Sequence, residues 1–398
     1  MKIVERVARV DQSKCVGCKN CERHCPTDAI KVTPGVMPGY VPPCGTACPA
    51  GTDVQGYIAL AGAGRYEDAY RLIRQSNPFP SVCGRICNHP CQAACNRNDL
   101  DESVGIRDIK RFVADKAFEN GMPVVEKKRK SNGKKIAVIG AGPSGLSCAY
   151  YLQLSGYSVE VFESESVAGG VLAYGIPEYR LPKAVLNRDI QAIEATGVQI
   201  HLNTTVGEDV SFDELYKKFH AVYVSTGTQL SRKANIPGED MPGVYHGLDF
   251  LKAVNLGKPV EIGKKVAVIG GGNTAIDAAR TARRLGAEVT IVYRRQRNDM
   301  PCEERELLEA FEEGVRVLDL AAPVEVVGEG KVQGLKCVRM VPGVKDEKLR
   351  RSTTKTEEEF VVEVDNIIVA VSQYSDFPFI NKDEVVVSKA GRIVLDEK

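Results

Sequence analysis

The sequence writes one local pattern twice. The first copy reads Lys135-Ile-Ala-Val-Ile-Gly140-Ala-Gly142-Pro143-Ser-Gly145, and the second reads Lys265-Val-Ala-Val-Ile-Gly270-Gly-Gly272-Asn273-Thr-Ala275. Each is a short apolar strand that runs into a glycine turn. Helical apolar spacing follows, through Leu146, Ala149, Leu152 and Leu154 in one copy and Ile276, Ala279, Ala282 and Leu285 in the other. Gly156 and Gly286 stop these helices, and new strands begin at Ser158 and Glu288. Strand, glycine turn, helix and strand together make the unit that holds a dinucleotide. The turn lets the backbone approach the pyrophosphate, which rests on the helix N-terminus. Two such units confine the chain to an α/β architecture with two Rossmann-like domains built on parallel sheets.

The copies differ where the second strand ends. The first ends on Glu163, roughly 20 residues beyond the first glycine, where a carboxylate holds a ribose diol. The second ends on Arg294-Arg295. A carboxylate there repels a 2′-phosphate, whereas two guanidiniums pair with it. Ala275 replaces the third glycine of the second copy, a tolerated variant. Gly140, Gly142, Pro143, Gly145 and Glu163 are therefore assigned to FAD, and Gly270, Gly272, Asn273, Ala275, Arg294 and Arg295 to NADP(H). Hydride passes between the two cofactors, which carry the chemistry themselves, so no catalytic side chain is assigned. Cys148 reads as core, and Cys302 in Met300-Pro301-Cys302 reads as a loop residue.

Cysteine is the third constraint. Of 13 cysteines, ten lie in the first 95 residues. Cys15, Cys18, Cys21 and Cys25, with Pro26 after the last, follow the bacterial ferredoxin spacing for a 4Fe–4S cluster. One such run is half a ferredoxin, and zinc is the weaker alternative. The second set is Cys44, Cys48, Cys83, Cys87, Cys91 and Cys95. Between its parts, Val54 to Ile73 reads as one helix. The three-residue spacers from Cys83 to Cys95 would place thiols on one side of a helix. Three all-cysteine cubanes need twelve thiolates, so ten support two clusters, or three if one borrows another ligand. His24 and His89 are candidates, although each reads more readily as a turn residue.

The 398 residues suffice for two to three domains. Net charge is +1, which points to neither nucleic acid nor an anionic membrane. No apolar run nears the roughly 20 residues of a membrane span, and the N-terminus lacks a signal-peptide core. A cytoplasmic protein is expected, with no disulfide framework. Charged helical sequence runs from Ile106 to Phe118, and the basic run Lys127–Lys135 reads as an interdomain linker.

Other segments carry a family resemblance. Gly140–Gly145, Gly169-Gly170-Val-Leu-Ala-Tyr-Gly-Ile-Pro-Glu-Tyr-Arg180-Leu-Pro-Lys183, Ile236–Asp240 and Tyr293–Arg295 with Met300-Pro301 resemble the glutamate synthase small-subunit family. That family includes NADPH-binding subunits of electron-bifurcating transhydrogenases and the N-terminal half of dihydropyrimidine dehydrogenase. The resemblance covers about residues 40 to 398 and is most specific over Gly169–Lys183. After the ferredoxin-like segment that the Cys15–Cys25 run places at 1–35, it implies an α-helical iron–sulfur domain at 36–125 and an FAD domain at 134–245. An inserted NADP domain at 246–364 and a return to the FAD domain at 365–398 complete it. It adds Gly170, Thr226 and Gly227 to the FAD residues and implies that Ile368–Gln373 frames the flavin.

Three departures follow. Val36 and Gly39 stand where the family has cysteines, so cysteines of the Cys15–Cys25 run substitute or one cluster is lost. Ile109-Lys110-Arg111 stands where relatives offer Gln or Glu to iron, leaving Cys83 as the substitute. A Gly-Asp motif and a helix that close over FAD are expected beyond Lys398, which suggests a fragment. The implied function is an NADP(H)-dependent FAD and iron–sulfur oxidoreductase subunit. It would pass electrons through 4Fe–4S clusters to other redox subunits of a complex, or to ferredoxin. The half-ferredoxin favours an electron-bifurcating transhydrogenase over glutamate synthase. A non-catalytic electron-wire or scaffold subunit is the remaining reading.

Overall fold

The two glycine-turn copies fold into matching halves of one unit. In the first, β1 (Lys135–Ile139) leads to a helix over Pro143–Leu154 and then to β2 (Ser158–Phe162), β3 (Gln199–His201) and β4 (Ala221–Val224). These four strands form a parallel sheet in the order β3-β2-β1-β4. A short strand β5 (Leu230–Ser231) and β6 (Val244–His246) follow. In the second half, β7 (Lys265–Ile269) leads to a helix over Asn273–Arg284, then β8 (Glu288–Val292) and β9 (Arg316–Leu318). An antiparallel sheet of β10 (Ala321–Val327), β11 (Gly334–Lys345) and β12 (Arg351–Glu363) intervenes before β13 (Asn366–Val369) and β14 (Gln373–Tyr374). The second parallel sheet has the order β6-β13-β7-β8-β9. Lys135 pairs with Ser158 and Lys265 with Glu288, so the two units share one register.

This computed structural model describes residues 42–121, 128–346, 351–380, 387–388 and 393–394. Both sheets belong to a unit of Lys130–Leu152, Gly156–Lys183 and Val198–Lys398. The other unit gathers the residues up to Arg129 with Gln153–Ser155 and Ala184–Gly197.

Alternation explains the packing of the second sheet. Successive strand residues point to opposite faces. Val266 and Val268 of β7 therefore pack with Val289, Ile291 and the Ala275–Ala282 face of the helix. Ala267 and Ile269 pack on the other side with Ala321, Leu335 and Cys337 of the antiparallel sheet. One position departs from expectation. Ile368 to Gln373 does not return to the first sheet, because β13 pairs with β7 as β4 pairs with β1. It is the second unit's counterpart of β4.

The helical unit corrects two expectations. Val54 to Ile73 is two helices, Val54–Gly62 and Tyr66–Arg74. Gly64 between them adopts φ +73°, a conformation that favours glycine and ends the first helix. The Cys83–Cys95 stretch is not one helix either. Cys83 lies in Pro80–Ile86, Cys87 is extended, Cys91 lies in the four-residue helix Pro90–Ala93, and Cys95 is extended again. Pro90 cannot continue a helix through its own amide, and His89 turns at φ +38°.

The helix Ile106–Glu119 packs on these elements around buried Tyr57, Tyr70, Ile73 and Val113. Tyr57 satisfies its buried hydroxyl by donating to the Ile106 carbonyl at 3.1 Å. The helix Lys183–Glu194 places Asp189 on the same core. Its Oδ2 accepts the Ser81 and Val82 amides at 3.0 and 3.1 Å, capping the cysteine-bearing helix. Burial pushes this carboxyl up to about 7, against those amides and the Arg74 charge.

Candidate functional site

At the carboxyl ends of β1 and β4 lies a cavity of about 540 Å³. Gly140 turns at φ +100°, and a Cβ on it would meet the Ser225 carbonyl at 2.5 Å. Only glycine fits between strand end and crossing strand. Gly142, Pro143, Gly170, Thr226 and Gly227 line the cavity, while Gly145 packs beneath the turn. Glu163 is buried, with Oε2 accepting the Ala141 amide at 2.7 Å and Oε1 the Glu165 amide at 2.9 Å. Among the described residues the buried Thr226 hydroxyl has no hydrogen-bond partner, which suits a polar ligand. The charged lining is Glu163, Glu165, Asp249, Asp376 and Lys252, the lysine pairing with Glu165.

An equivalent cavity of about 610 Å³ opens at the ends of β7 and β13. A Cβ on Gly270 would meet the Ala370 carbonyl at 2.3 Å, as Gly140 meets Ser225. Gly270, Gly272, Arg294 and Arg295 line it. Ala275 is buried under the turn, and Asn273 accepts the Glu303 amide at 2.8 Å, so neither forms the wall. The charge here is reversed. Lys233, Arg294, Arg295 and Lys355 line the cavity, and among the described residues no carboxylate does.

Sequence reasoning missed two of these cations. Lys355 arrives on β12, and Lys233 precedes the second sheet, so neither belongs to the motif. Arg295 has a second task, since its Nε donates to the Arg351 carbonyl at 2.7 Å. Arg351 in turn pairs with Asp299 at 3.1 Å, anchoring the hairpin that carries Lys355. The antiparallel pair β5·β14 joins the two cavities. Leu230 lines the first and Gln373 the second, one register step apart.

In the helical unit Cys44, Cys48, Cys83, Cys87, Cys91 and Cys95 are all free. Tyr57 has Cys44, Cys48, Cys87 and Cys91 as electrostatic neighbours, and Cys95 acts on Cys44. Burial opposes the Cys48 thiolate, but hydrogen bonds from Thr52 and Ala50 and the Lys110 charge hold its pKa below the ordinary thiol value. Burial pushes Cys83 and Cys91 up. Among the described residues no three ligands converge on a single metal ion. A four-iron cubane spreads its thiolates wider than one ion does, and this soft, all-thiol set suits it. Cys15, Cys18, Cys21, Cys25, His24, Val36 and Gly39 lie outside the described residues. Burial raises the Cys302 thiol to about 11, which removes it as a nucleophile.

Residues 134–398 match the family described as pyridine nucleotide-disulphide oxidoreductase. The chain is also 38% identical to the glutamate synthase [NADPH] small chain of Escherichia coli strain K12, over 89% of this chain and 79% of that one. The chain belongs to this oxidoreductase family, in its glutamate synthase small-subunit branch. The oxidoreductase also matches dihydropyrimidine dehydrogenase domain II, 4Fe–4S cluster, at 37–122 and a 4Fe–4S binding domain at 8–31. It is 43% identical to the NADPH-Fe(3+) oxidoreductase subunit beta of Geobacter sulfurreducens (strain DL-1 / KN400), across 86% of this chain and 52% of the relative. The chain thus spans about half the length of the first curated relatives it matches. Mycobacterium tuberculosis FprA in complex with NADPH shares the fold at a TM-score of 0.54, with 22% identity over 62% of this chain and 72% of that one. Among the described residues no helix is long and apolar enough to cross a membrane.

Proposed function

We propose that this chain is the NADP(H)-binding subunit of a cytoplasmic, hetero-oligomeric oxidoreductase, with FAD in the first cavity and NADP(H) in the second. The carrying observation is the charge contrast, among the described residues, between two topologically equivalent cavities, one rich in carboxylates and one lined by cations. In the first, Gly140, Gly142 and Pro143 present the helix N-terminus to a pyrophosphate, and Glu163 holds a ribose. Gly170, Thr226 and Gly227 stand along the ring portion, where the Thr226 hydroxyl gains its missing partner. In the second, Gly270 and Gly272 serve the pyrophosphate, and Arg294 with Lys355 and Lys233 neutralises the 2′-phosphate. Arg295 orients the hairpin as well as adding charge. FAD supplies the conversion between two-electron hydride transfer and one-electron transfer to iron–sulfur centres. The β5·β14 wall brings the two sites within reach of each other.

Domains at 1–35, 36–125, 134–245, 246–364 and 365–398 remain the proposed division, with the helix Lys183–Glu194 joining the iron–sulfur unit and β13 the NADP sheet. Two 4Fe–4S clusters are proposed, a third requiring ligands beyond the ten cysteines. Partner redox subunits receive or supply the electrons. The relatives' names share NADPH but differ in the second reactant, Fe(3+) in one and glutamate synthesis in the other. The partner therefore sets the acceptor. Within this reading an electron-bifurcating NAD(H)/ferredoxin:NADP transhydrogenase is the specific assignment, because the segment at 8–31 adds a one-electron relay.

Anaerobic titration of the purified complex tests the cofactor assignment. NADPH bleaches the flavin absorbance at far lower concentration than NADH, and equal bleaching by both would sink the NADP site. Glutamine-dependent glutamate formation by the same complex is expected to be absent. Its presence would replace the transhydrogenase assignment with glutamate synthase.

A further inference from the structure

The helix Ile106–Glu119 buries a lysine, Lys110, which is only 5% exposed. Its neighbouring cations have carboxylates. Arg111 and Arg85 share Asp115, at 3.7 and 2.9 Å, and Lys116 pairs with Glu119 at 2.6 Å. Asp189, which acts with Lys110 on Cys83, takes the Ser81 and Val82 amides on its Oδ2 and makes no ion pair with Lys110. Among the described residues Lys110 has no ion-pair partner. A buried ammonium without a counter-charge is strongly disfavoured, so this site calls for an anion. The groups its charge acts on are the thiols of Cys48, Cys83 and Cys91.

Backbone packing fixes this placement. A Cβ on Gly84 would lie 2.7 Å from the Arg111 Cα, so the helix Pro80–Ile86 touches the helix Ile106–Glu119 backbone to backbone. Cys83 and Lys110 each stand one residue from that contact. On the other side the Arg107 amide donates to the Gln92 side chain at 2.9 Å, and its guanidinium donates to the Cys87 carbonyl at 3.0 Å. The turn that carries Cys87 and Cys91 is thereby tied to the same helix.

We propose that Lys110 is the built-in counter-charge of an iron–sulfur cluster held by Cys48, Cys83, Cys87 and Cys91, and that it raises that cluster's reduction potential. This rests on the cluster reading above. Four thiolates outweigh the positive charge of a four-iron, four-sulfide core, so the cluster is an anion in both redox states. Reduction adds one electron and moves no proton. The more negative reduced state is attracted more strongly by a fixed cation, which favours reduction. Lys110 is a positioning residue by its charge and touches no nucleotide.

The test is an anaerobic potentiometric titration of the assembled complex, followed by electron paramagnetic resonance. The signal from this site is the one lost in Cys91→Ala. Lys110→Met is expected to make reduction at least tenfold less favourable, about 59 mV for one electron. Lys110→Arg, which keeps the charge, shifts it by less than about twofold. If Lys110→Met does not assemble, Lys110→Gln is titrated in its place. An intact cluster with unchanged potential in the neutral variant overturns the proposal. If the unaltered complex shows no cluster signal that depends on Cys91, the cluster reading itself fails, and the counter-charge with it.

Discussion

Arg294→Glu raises the KM for NADPH by about a hundredfold and leaves that for NADH within about threefold. Arg294 is exposed at the end of β8 and lines the cavity with Lys233, Arg295 and Lys355. A hydrogen bond between charged groups contributes about 1.5–3 kcal/mol. Replacing the guanidinium with a carboxylate removes that contribution and adds repulsion to a phosphate. A total of about 3 kcal/mol corresponds to roughly a hundredfold in affinity. NADH has no 2′-phosphate and meets only a changed surface charge. Steady-state reduction of an artificial acceptor with each coenzyme reads the difference. Equal losses for NADPH and NADH would remove Arg294 from the phosphate site.

Arg180→Met destabilises the nucleotide-binding unit by about 3–5 kcal/mol, the usual cost of stranding one partner of a buried ion pair. The Arg180 Nη1 lies 2.8 and 2.6 Å from the two Asp277 oxygens, and the guanidinium is 3.0 Å from Glu306. Both side chains of the pair are less than a tenth exposed. Thermal unfolding of the complex should show a Tm lowered by about 10 °C for this unit. Burial pushes Asp277 up to about 6 even with Arg180 beside it. Losing Arg180 raises it further above the unfolded value, so the variant's stability keeps falling as pH rises beyond 6. The deficit is therefore larger at pH 8 than at pH 6. Adding Asp277→Asn to Arg180→Met recovers much of the loss, since no buried charge is then stranded. A double variant no better than the single one would show that Arg180 acts through packing alone.

Both nucleotide units were legible because their signals are local. Apolar strand, glycine turn and helix lie within about 20 residues, and Glu163 and Arg294 follow at strand ends. Lys355 was not legible. It reaches the second cavity on a hairpin strand whose anchor, Arg295 on the Arg351 carbonyl, exists only after folding. The family resemblance implies that Ile368–Gln373 frames the flavin, whereas β13 joins the second sheet, since sequence alone does not tell a strand which of two equivalent sheets to join. Apolar spacing over Val54–Ile73 concealed a break, because Gly62 and Gly64 interrupt the backbone without disturbing the apolar order. Lys110 reads on paper as one more charge on a charged helix. Its burial depends on the close approach that Gly84 permits.

The cap on the cysteine-bearing helix has a consequence for synthesis. Ser81 and Val82 receive their hydrogen bonds from Asp189, which follows Ser81 by 108 positions. At ribosomal speed that is roughly 5–20 s of elongation. During that interval the nascent helix carries Cys83 without its carboxylate clasp. The whole strand pair β1 and β2 is made before the clasp arrives. A chain stopped before residue 189 therefore carries Ser81 and Val82 without the carboxylate that clasps them.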